Sequence, residues 1–366
     1  MPKENFRTRT GDGNKAIFSK LKSTLLIASL AFSVTQANAQ SKKFEFGLIG
    51  DAPYSRKMEK EFPKVIDQMN HSDLSFVVHV GDFELDPRPY NSRPEGQSMP
   101  CVAENFKKVH AAFQTSKHPF ILTPGDNDWT DCHLLKAQKV DALDALDQVR
   151  SIFYPAGMSL GQNPMPVVSQ SADPEFSKYV ENLRWSKEGV TFATIHLVGS
   201  NNNFGKKPEP SAEFTERAAA NVAWLRKAFA TAKADNSLGL VLFTQANPTF
   251  ESKWNRKLLG RLFRSLKALG YKSPKKPEPK RAGFDEFLET LLEEMQNYDK
   301  PTVLMHGDTH YFQINNPLYN PKTDNTVGNF TRVETFGAPV SGWIQVTVDP
   351  DSANLFSFHP RRYSAN

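Results

Sequence analysis

The chain predicts an α/β fold with mixed sheets, and three observations carry that prediction. Short apolar runs of strand length alternate with stretches whose apolar residues recur at helical spacing. Several of those runs stop at a Gly-Asp pair. The last segments, 331–337, 343–348 and 354–358, read as strands in succession. The composition, 39% hydrophobic and 23% charged over 366 residues, is that of a globular protein and excludes the collagen-like, disordered and disulfide-framework classes. No repeat of solenoid period is present.

The elements follow in order. Residues 44–50 (FEFGLIG) form a buried strand that ends at Asp51. Phe62, Val65, Ile66 and Met69 place a helix over 57–69, because their spacing puts them on one face. Residues 76–80 (FVVHV) are the next strand, stopping at Gly81-Asp82. A helical stretch over 102–115 leads to a strand at 119–122, which ends at Gly125-Asp126-Asn127-Asp128. Residues 155–176, rich in Pro, Gly and Ser, predict a long surface loop able to overhang a site. The alternation then resumes with a strand at 190–198, a helix at 213–233 and a strand at 238–243 that ends at Gln245-Ala246-Asn247-Pro248. A helix at 284–298 and the strand 302–306, ending at Gly307-Asp308, complete it.

The amino-terminal segment predicts export. Lys20 and Lys22 precede an apolar run at 25–32, and Ala37-Asn38-Ala39 supplies the small-x-small pattern of a signal-peptide cleavage site before Gln40. The remainder, 40–366, is then a single domain in the bacterial periplasm or outside the cell. The apolar run is short for a bilayer span, and no later stretch approaches that length. In an oxidising compartment Cys101 and Cys132 are most simply a disulfide worth roughly 3–4 kcal/mol; the alternative is two buried thiols.

Charge excludes one class of partner. Residues 1–39 hold six of the 45 basic groups and two of the 40 acidic ones, so the rest carries 39 against 38 and gives nucleic-acid binding no support. Residues 253–281 depart from that balance, with eleven Lys or Arg and one acid, Glu278, around Leu258, Leu259, Leu262, Phe263 and Leu266. They read as a basic insertion, an amphipathic helix with a solvated face, or as an anion- or membrane-contacting patch.

The chemistry lies where the aspartates fall. Asp51, Asp82, Asp126 and Asp308 each follow a glycine at the C-terminal end of a predicted strand, the edge where open α/β sheets bind ligands. One Gly-Asp at a strand end is an ordinary turn or cap. Four in that register, with His310 beside the last, predict carboxylates that converge and repel unless a cation neutralises them. The glycines Gly50, Gly81, Gly125 and Gly307 are expected to let the backbone turn sharply there.

Five segments, Gly50-Asp51-Ala52-Pro53, Gly81-Asp82-Phe83-Glu84, Gly125-Asp126-Asn127-Asp128, Gln245-Ala246-Asn247-Pro248 and Gly307-Asp308-Thr309-His310, occur in the order of the motifs of the calcineurin-like metallophosphoesterases. The chain resembles a divergent member of that superfamily, which includes the purple acid phosphatases, over nearly all of residues 44–312. The resemblance implies a four-layer α/β/β/α sandwich of two mixed sheets flanked by helices. It implies an exported, metal-dependent phosphoesterase acting on a phosphorylated small molecule or a phosphodiester by attack of metal-bound hydroxide. It assigns Asp82 as the bridge between two metals, Asp51 and His310 to the first, and Asp126, Asp308 and Gln245 (or Asn247) to the second.

Departures from the motifs shape those expectations. Pro53 stands at a common histidine position, Asp126-Asn127 replaces Asn-His, Gln245 replaces a histidine, and Asp308 replaces the first histidine of the last motif. Oxygen donors therefore dominate, favouring Mn²⁺, Mg²⁺ or Ca²⁺ over Zn²⁺, with iron also compatible. The general acid falls to His196 or His306, with His79 as a further candidate, unless these are satisfied core histidines. Asn127 is expected to contact phosphate through its amide, and Asn201 to line the crevice or serve as a polar turn. Trp129 packs or stacks on substrate. A relative without turnover, binding a cation or a phosphorylated ligand, is the competing class.

Overall fold

A computed structural model describes residues 41–84, 99–136, 139–205, 209–250, 282–320 and 322–364. The predicted signal peptide and the basic 253–281 segment lie outside the described residues. The first sheet holds β1 (Phe44–Ile49), β2 (Val77–His79), β3 (Phe120–Leu122), β13 (Gly342–Val348) and β14 (Phe356–Arg362), in the order β14-β13-β1-β2-β3. Here β1, β2 and β3 are parallel, whereas β13 runs antiparallel to β1 and to β14.

The second sheet has seven strands in the order β4-β5-β6-β7-β8-β12-β9. These are β4 (Val168–Ser169), β5 (Leu183–Lys187), β6 (Val190–Thr194), β7 (Gly239–Phe243), β8 (Thr302–His306), β9 (Gln313–Asn315) and β12 (Phe330–Glu334). Its centre, β6-β7-β8-β12, is parallel. A two-stranded ribbon of β10 (Tyr319–Asn320) and β11 (Asn325–Thr326) stands apart.

Helices cover both outer faces. Helix α1 (Arg56–Asn70) starts at Ser55, whose hydroxyl accepts the Met58 N–H, and buries Met58, Phe62, Val65, Ile66 and Met69. With α2 (Ala103–Phe113) and α3 (Ala142–Phe153) it packs on the outside of the first sheet, against Ile49, Val77, Phe120 and Leu122. Phe46, Leu48, Phe76 and Val78 of the first sheet meet Phe192, Val241, Phe243 and Val303 of the second in a central core. On the far side α4 (Ala212–Ala234) and α5 (Asp285–Met295) bury Trp224, Leu225, Phe287 and Leu291 against Ala193, Leu240, Leu242 and Leu304. Three apolar seams between four layers give the expected α/β/β/α sandwich, because strands buried on both faces must be covered on both. Among the described residues no helix is long and apolar enough to cross a membrane.

Two local expectations are corrected. Helix α3 and strand β5 lie in stretches to which the sequence reading assigned no element. The 155–176 segment does not overhang a site: Leu160 bridges to Phe120, exchanging N–H···O bonds of 2.8 Å, so it runs along the edge of β3.

Candidate active site

The C-terminal ends of the parallel strands of both sheets meet, and the backbone joins them. Asp51 N–H donates to Gly81 O (3.1 Å), Gly307 N–H to Gln245 O (3.1 Å), and Asp308 N–H to both carboxylate oxygens of Asp51 (3.0 and 3.2 Å). The turns fall on different residues from those expected. Asp51, Asp82, Asp308 and His310 have φ of 51°, 55°, 83° and 66°, whereas of the four preceding glycines only Gly81 has a positive φ. Left-handed backbone at several non-glycine residues marks a site whose surroundings hold it. Gly125 and Gly307 serve instead by leaving room. A Cβ on Gly125 would lie 1.9 Å from Asp82 Oδ1, and one on Gly307 2.2 Å from Asp51 Oδ2.

Asp82 is held by three donors. Its Oδ1 accepts the Asn127 N–H (3.1 Å), and its Oδ2 accepts the Tyr54 hydroxyl (2.6 Å) and the Gln245 amide (3.0 Å). Asn127 Nδ2 in turn donates to the Tyr54 oxygen at 2.6 Å. Asp128 sits behind them. Its carboxylate accepts the N–H groups of Gly125 (2.7 Å), Asp82 (2.9 Å) and Phe83 (2.9 Å), clamping the β2 and β3 loops together.

Gln245 does not act as the expected oxygen ligand. Its Oε1 accepts the Gly199 N–H at 2.6 Å. Because a backbone N–H can only donate, the amide orientation is set, and the NH₂ must face Asp82. Asn247 reaches the same rim through its N–H, which donates to Asp308 Oδ2 at 3.0 Å.

Burial and mutual repulsion govern the charges. Burial pushes Asp51 well above the carboxylate range, and Asp308, Glu334 and Asp126 push it further. Asp82 is raised by burial and then by Asp126, Asp128 and Asp51. Burial lifts Asp126 to about 6, aided by Asp131, and Asp128 to about 7. Among the described residues, the largest charge effects on Asp51 and Asp82 come from other carboxylates, an arrangement that calls for protons or a cation.

His310 supplies the second sign of a cation. Its Nδ1 faces the Ala338 carbonyl at 2.8 Å, so Nδ1 carries the hydrogen, and burial lowers its basicity. Its Nε2 then faces Asp51 Oδ1 at 3.6 Å, near the ~3.4 Å between two donors on one tetrahedral ion. An imidazole nitrogen and a carboxylate oxygen facing each other, beside glycines that leave the carboxylates room, fit a divalent ion. The grouping stops at that pair: among the described residues no three His, Cys, Asp or Glu side chains stand together as ligands. Asp82, the third donor, is held by Tyr54 and Gln245.

Other expected residues lie elsewhere. His196 is fully buried, with Nδ1 on Glu181 Oε1 (2.7 Å), and the charged groups around it are Glu181, Arg217 and Arg150. His306 is buried with Nδ1 on Gly307 O (2.8 Å), and burial lowers it to about 3. His79 is buried on Ala52 O and lowered to about 4. These are core histidines, so the catalytic role expected of His196 and His306 is withdrawn: neither reaches solvent nor pairs with a cluster carboxylate. Asn201 Oδ1 accepts the Gly283 N–H (3.2 Å), tying its loop to the 282–284 turn instead of contacting substrate. Ser200, its neighbour, reaches Asp131 (2.9 Å). Trp129 packs, with Arg217 on its face and His196 at its edge.

Cys101 and Cys132 are disulfide-bonded, and both sulfurs lie against the Asn127 carbonyl, at 3.7 and 3.8 Å. Tyr54 and Asp128 are the residues the sequence argument passed over. Asp128 lay within the quoted Gly125 motif, and Tyr54 directly follows the Pro53 noted as a departure.

No protein-family model matches the chain, and no curated protein sequence matches it either. Solved structures do. A dimetal phosphatase from Danio rerio superposes with a TM-score of 0.50 at 11% identity, over 87% of this chain and 96% of that one. PhoD superposes with a TM-score of 0.50 at 13% identity, over 90% of this chain and 73% of that one. The chain therefore has the fold of these phosphatases.

Proposed function

We propose that this protein is an exported phosphoester hydrolase that works with divalent cations. One observation carries the reading: buried aspartates from parallel strands of both sheets converge, and among the described residues the largest charge effects on Asp51 and Asp82 come from other carboxylates. The shared fold of a dimetal phosphatase and PhoD supports it, as does a buried disulfide, which suits an oxidising compartment.

Asp51 and His310 would hold a first ion, Asp126 and Asp308 a second, and Asp82 would lie between them. Bound there, a hard divalent cation makes an attacking water acidic at neutral pH and offsets charge on phosphoryl oxygens. The chain's own groups supply the rest. Asp128 keeps Asp82 and Asp126 in fixed relation by holding both loops. Asn127 spends one amide hydrogen on Tyr54 and has a second for a phosphoryl oxygen. Among the described histidines only His310 is paired with a cluster carboxylate, and the reading makes it a ligand. The site thus has no dedicated histidine to protonate a leaving group, which suits esters whose alcohol departs readily as an anion.

A second reading, a relative that binds a cation or a phosphorylated ligand without turnover, draws on the donors that already satisfy Asp82 Oδ2. Metal analysis and Mn²⁺-stimulated hydrolysis of phosphomonoesters and diesters by the full chain, beside Asp82→Asn, separate the two. We expect bound metal and turnover in the wild type and a loss of at least a hundredfold in the variant. Metal without turnover selects the second reading, and no metal removes the shared cation site.

A further inference from the structure

The molecule has a cavity that adjoins the carboxylates without belonging to them. It lies between α1 and α2, with a volume of about 130 Å³, and Tyr54 and Phe83 are among the residues that line it. The opposing helices meet there through short or stiff side chains, Pro63 on one and Val109 and Ala112 on the other, with Phe62 beside them, so the space between them is not filled. Tyr54 belongs to both places. Its ring lines the cavity, while its hydroxyl donates to Asp82 Oδ2 at 2.6 Å. Phe83 directly follows Asp82 in the chain. The cavity and the cluster therefore share Tyr54 as a common wall.

Its chemistry selects an apolar guest. The polar groups on its walls are engaged with one another. Buried Glu84 accepts the Cys101 N–H and the Asn105 amide, and Glu59 pairs with Lys108 at 3.8 Å. A polyol or sugar entering there would lose its hydrogen bonds to water and find few partners, whereas an apolar ring loses nothing. The volume matches, since a cavity of about 150 Å³ lined by apolar side chains takes up benzene. Independently, the cluster has no dedicated histidine acid, and a phenol leaves as an anion far more readily than an aliphatic alcohol.

We propose that this cavity is the leaving-group subsite and takes a single apolar ring, which makes aryl phosphoesters the preferred substrate class. As a substrate assignment it rests on the hydrolase reading, but ring binding in the cavity does not. Fluorine NMR of the full chain with para-fluorophenol, neutral at pH 7, tests the cavity directly. The probe should bind the wild type, and Ala112→Phe and the milder Ala112→Leu, both growing a half-buried wall into the space, should weaken it about tenfold with an unchanged melting temperature. In turnover, the same variants should raise KM for phenyl phosphate about tenfold and leave methyl phosphate within twofold. Absent binding, or binding that both variants leave unchanged, overturns the proposal. Equal KM for phenyl and glycerol phosphate in the wild type overturns the leaving-group assignment. Ring binding that responds to the variants in a protein that hydrolyses no ester supports the cavity and removes the hydrolase reading instead.

Discussion

A methyl group on Gly125 has nowhere to go. Its carbon would lie 1.9 Å from Asp82 Oδ1, so Gly125→Ala must displace a carboxylate that three neighbours hold in place. We expect a cost of about 2 kcal/mol and loss of Mn²⁺ uptake, read by thermal melting and titration calorimetry. Gly328→Ala is the control, because a Cβ there meets nothing within 4 Å. Unaltered Mn²⁺ uptake in Gly125→Ala would detach Asp82 from the ion. At this scale the sequence shows residue types and their register, which is why Asp51, Asp82, Asp126 and Asp308 were legible. It does not show which atom faces which. Gln245 reads as a ligand until the Gly199 N–H is found on its oxygen, and Tyr54 reads as nothing until its hydroxyl is found on Asp82.

Between elements, the Cys101–Cys132 bond joins the start of α2 to the short 3₁₀ turn Thr130–Leu134 and rests on the Asn127 carbonyl. Replacing both cysteines with alanine should cost roughly 3–4 kcal/mol by the loop-closure model. It should also lower turnover more than stability explains, since the N–H of the same residue, Asn127, holds Asp82. Chemical denaturation and kcat measured on the still-folded double variant check this. Wild-type kcat there would make the bond purely structural. Helices α1, α2, α4 and α5 were legible from apolar spacing, and α3 carried the same signal in Ala145, Leu146, Val149 and Phe153 behind an Asp141 cap. The 155–176 segment was not legible, because Pro and Gly mark irregular backbone without saying which edge it will follow.

For the molecule as a whole, the cluster couples stability to pH and to cations in opposite directions. Asp126 and Asp128, raised by burial to about 6 and about 7, contribute stability that is full below the unfolded carboxylate range near pH 4 and lost as pH rises through those values. A cation binds the ionised forms, so protons compete with it as pH falls through the same window. Mn²⁺ at a hundredfold excess over its Kd should stabilise the protein by about 3 kcal/mol at pH 8, and by far less at pH 5. Melting curves with and without Mn²⁺ at the two pH values measure it, and an equal gain at both would place the ion away from these carboxylates.

The sequence alone determined the class of fold, the alternation of strands and helices, and the four aspartates at strand ends, because all three are written in spacing along one chain. The tertiary structure decided what those aspartates meet. It buried His79, His196 and His306 in the core, turned Gln245 into a donor and placed Tyr54 between the cluster and an apolar cavity. Those outcomes depend on which side chains from distant strands share a few ångströms, and on the charges and hydrogen bonds that result, so they exist only once both sheets are packed together.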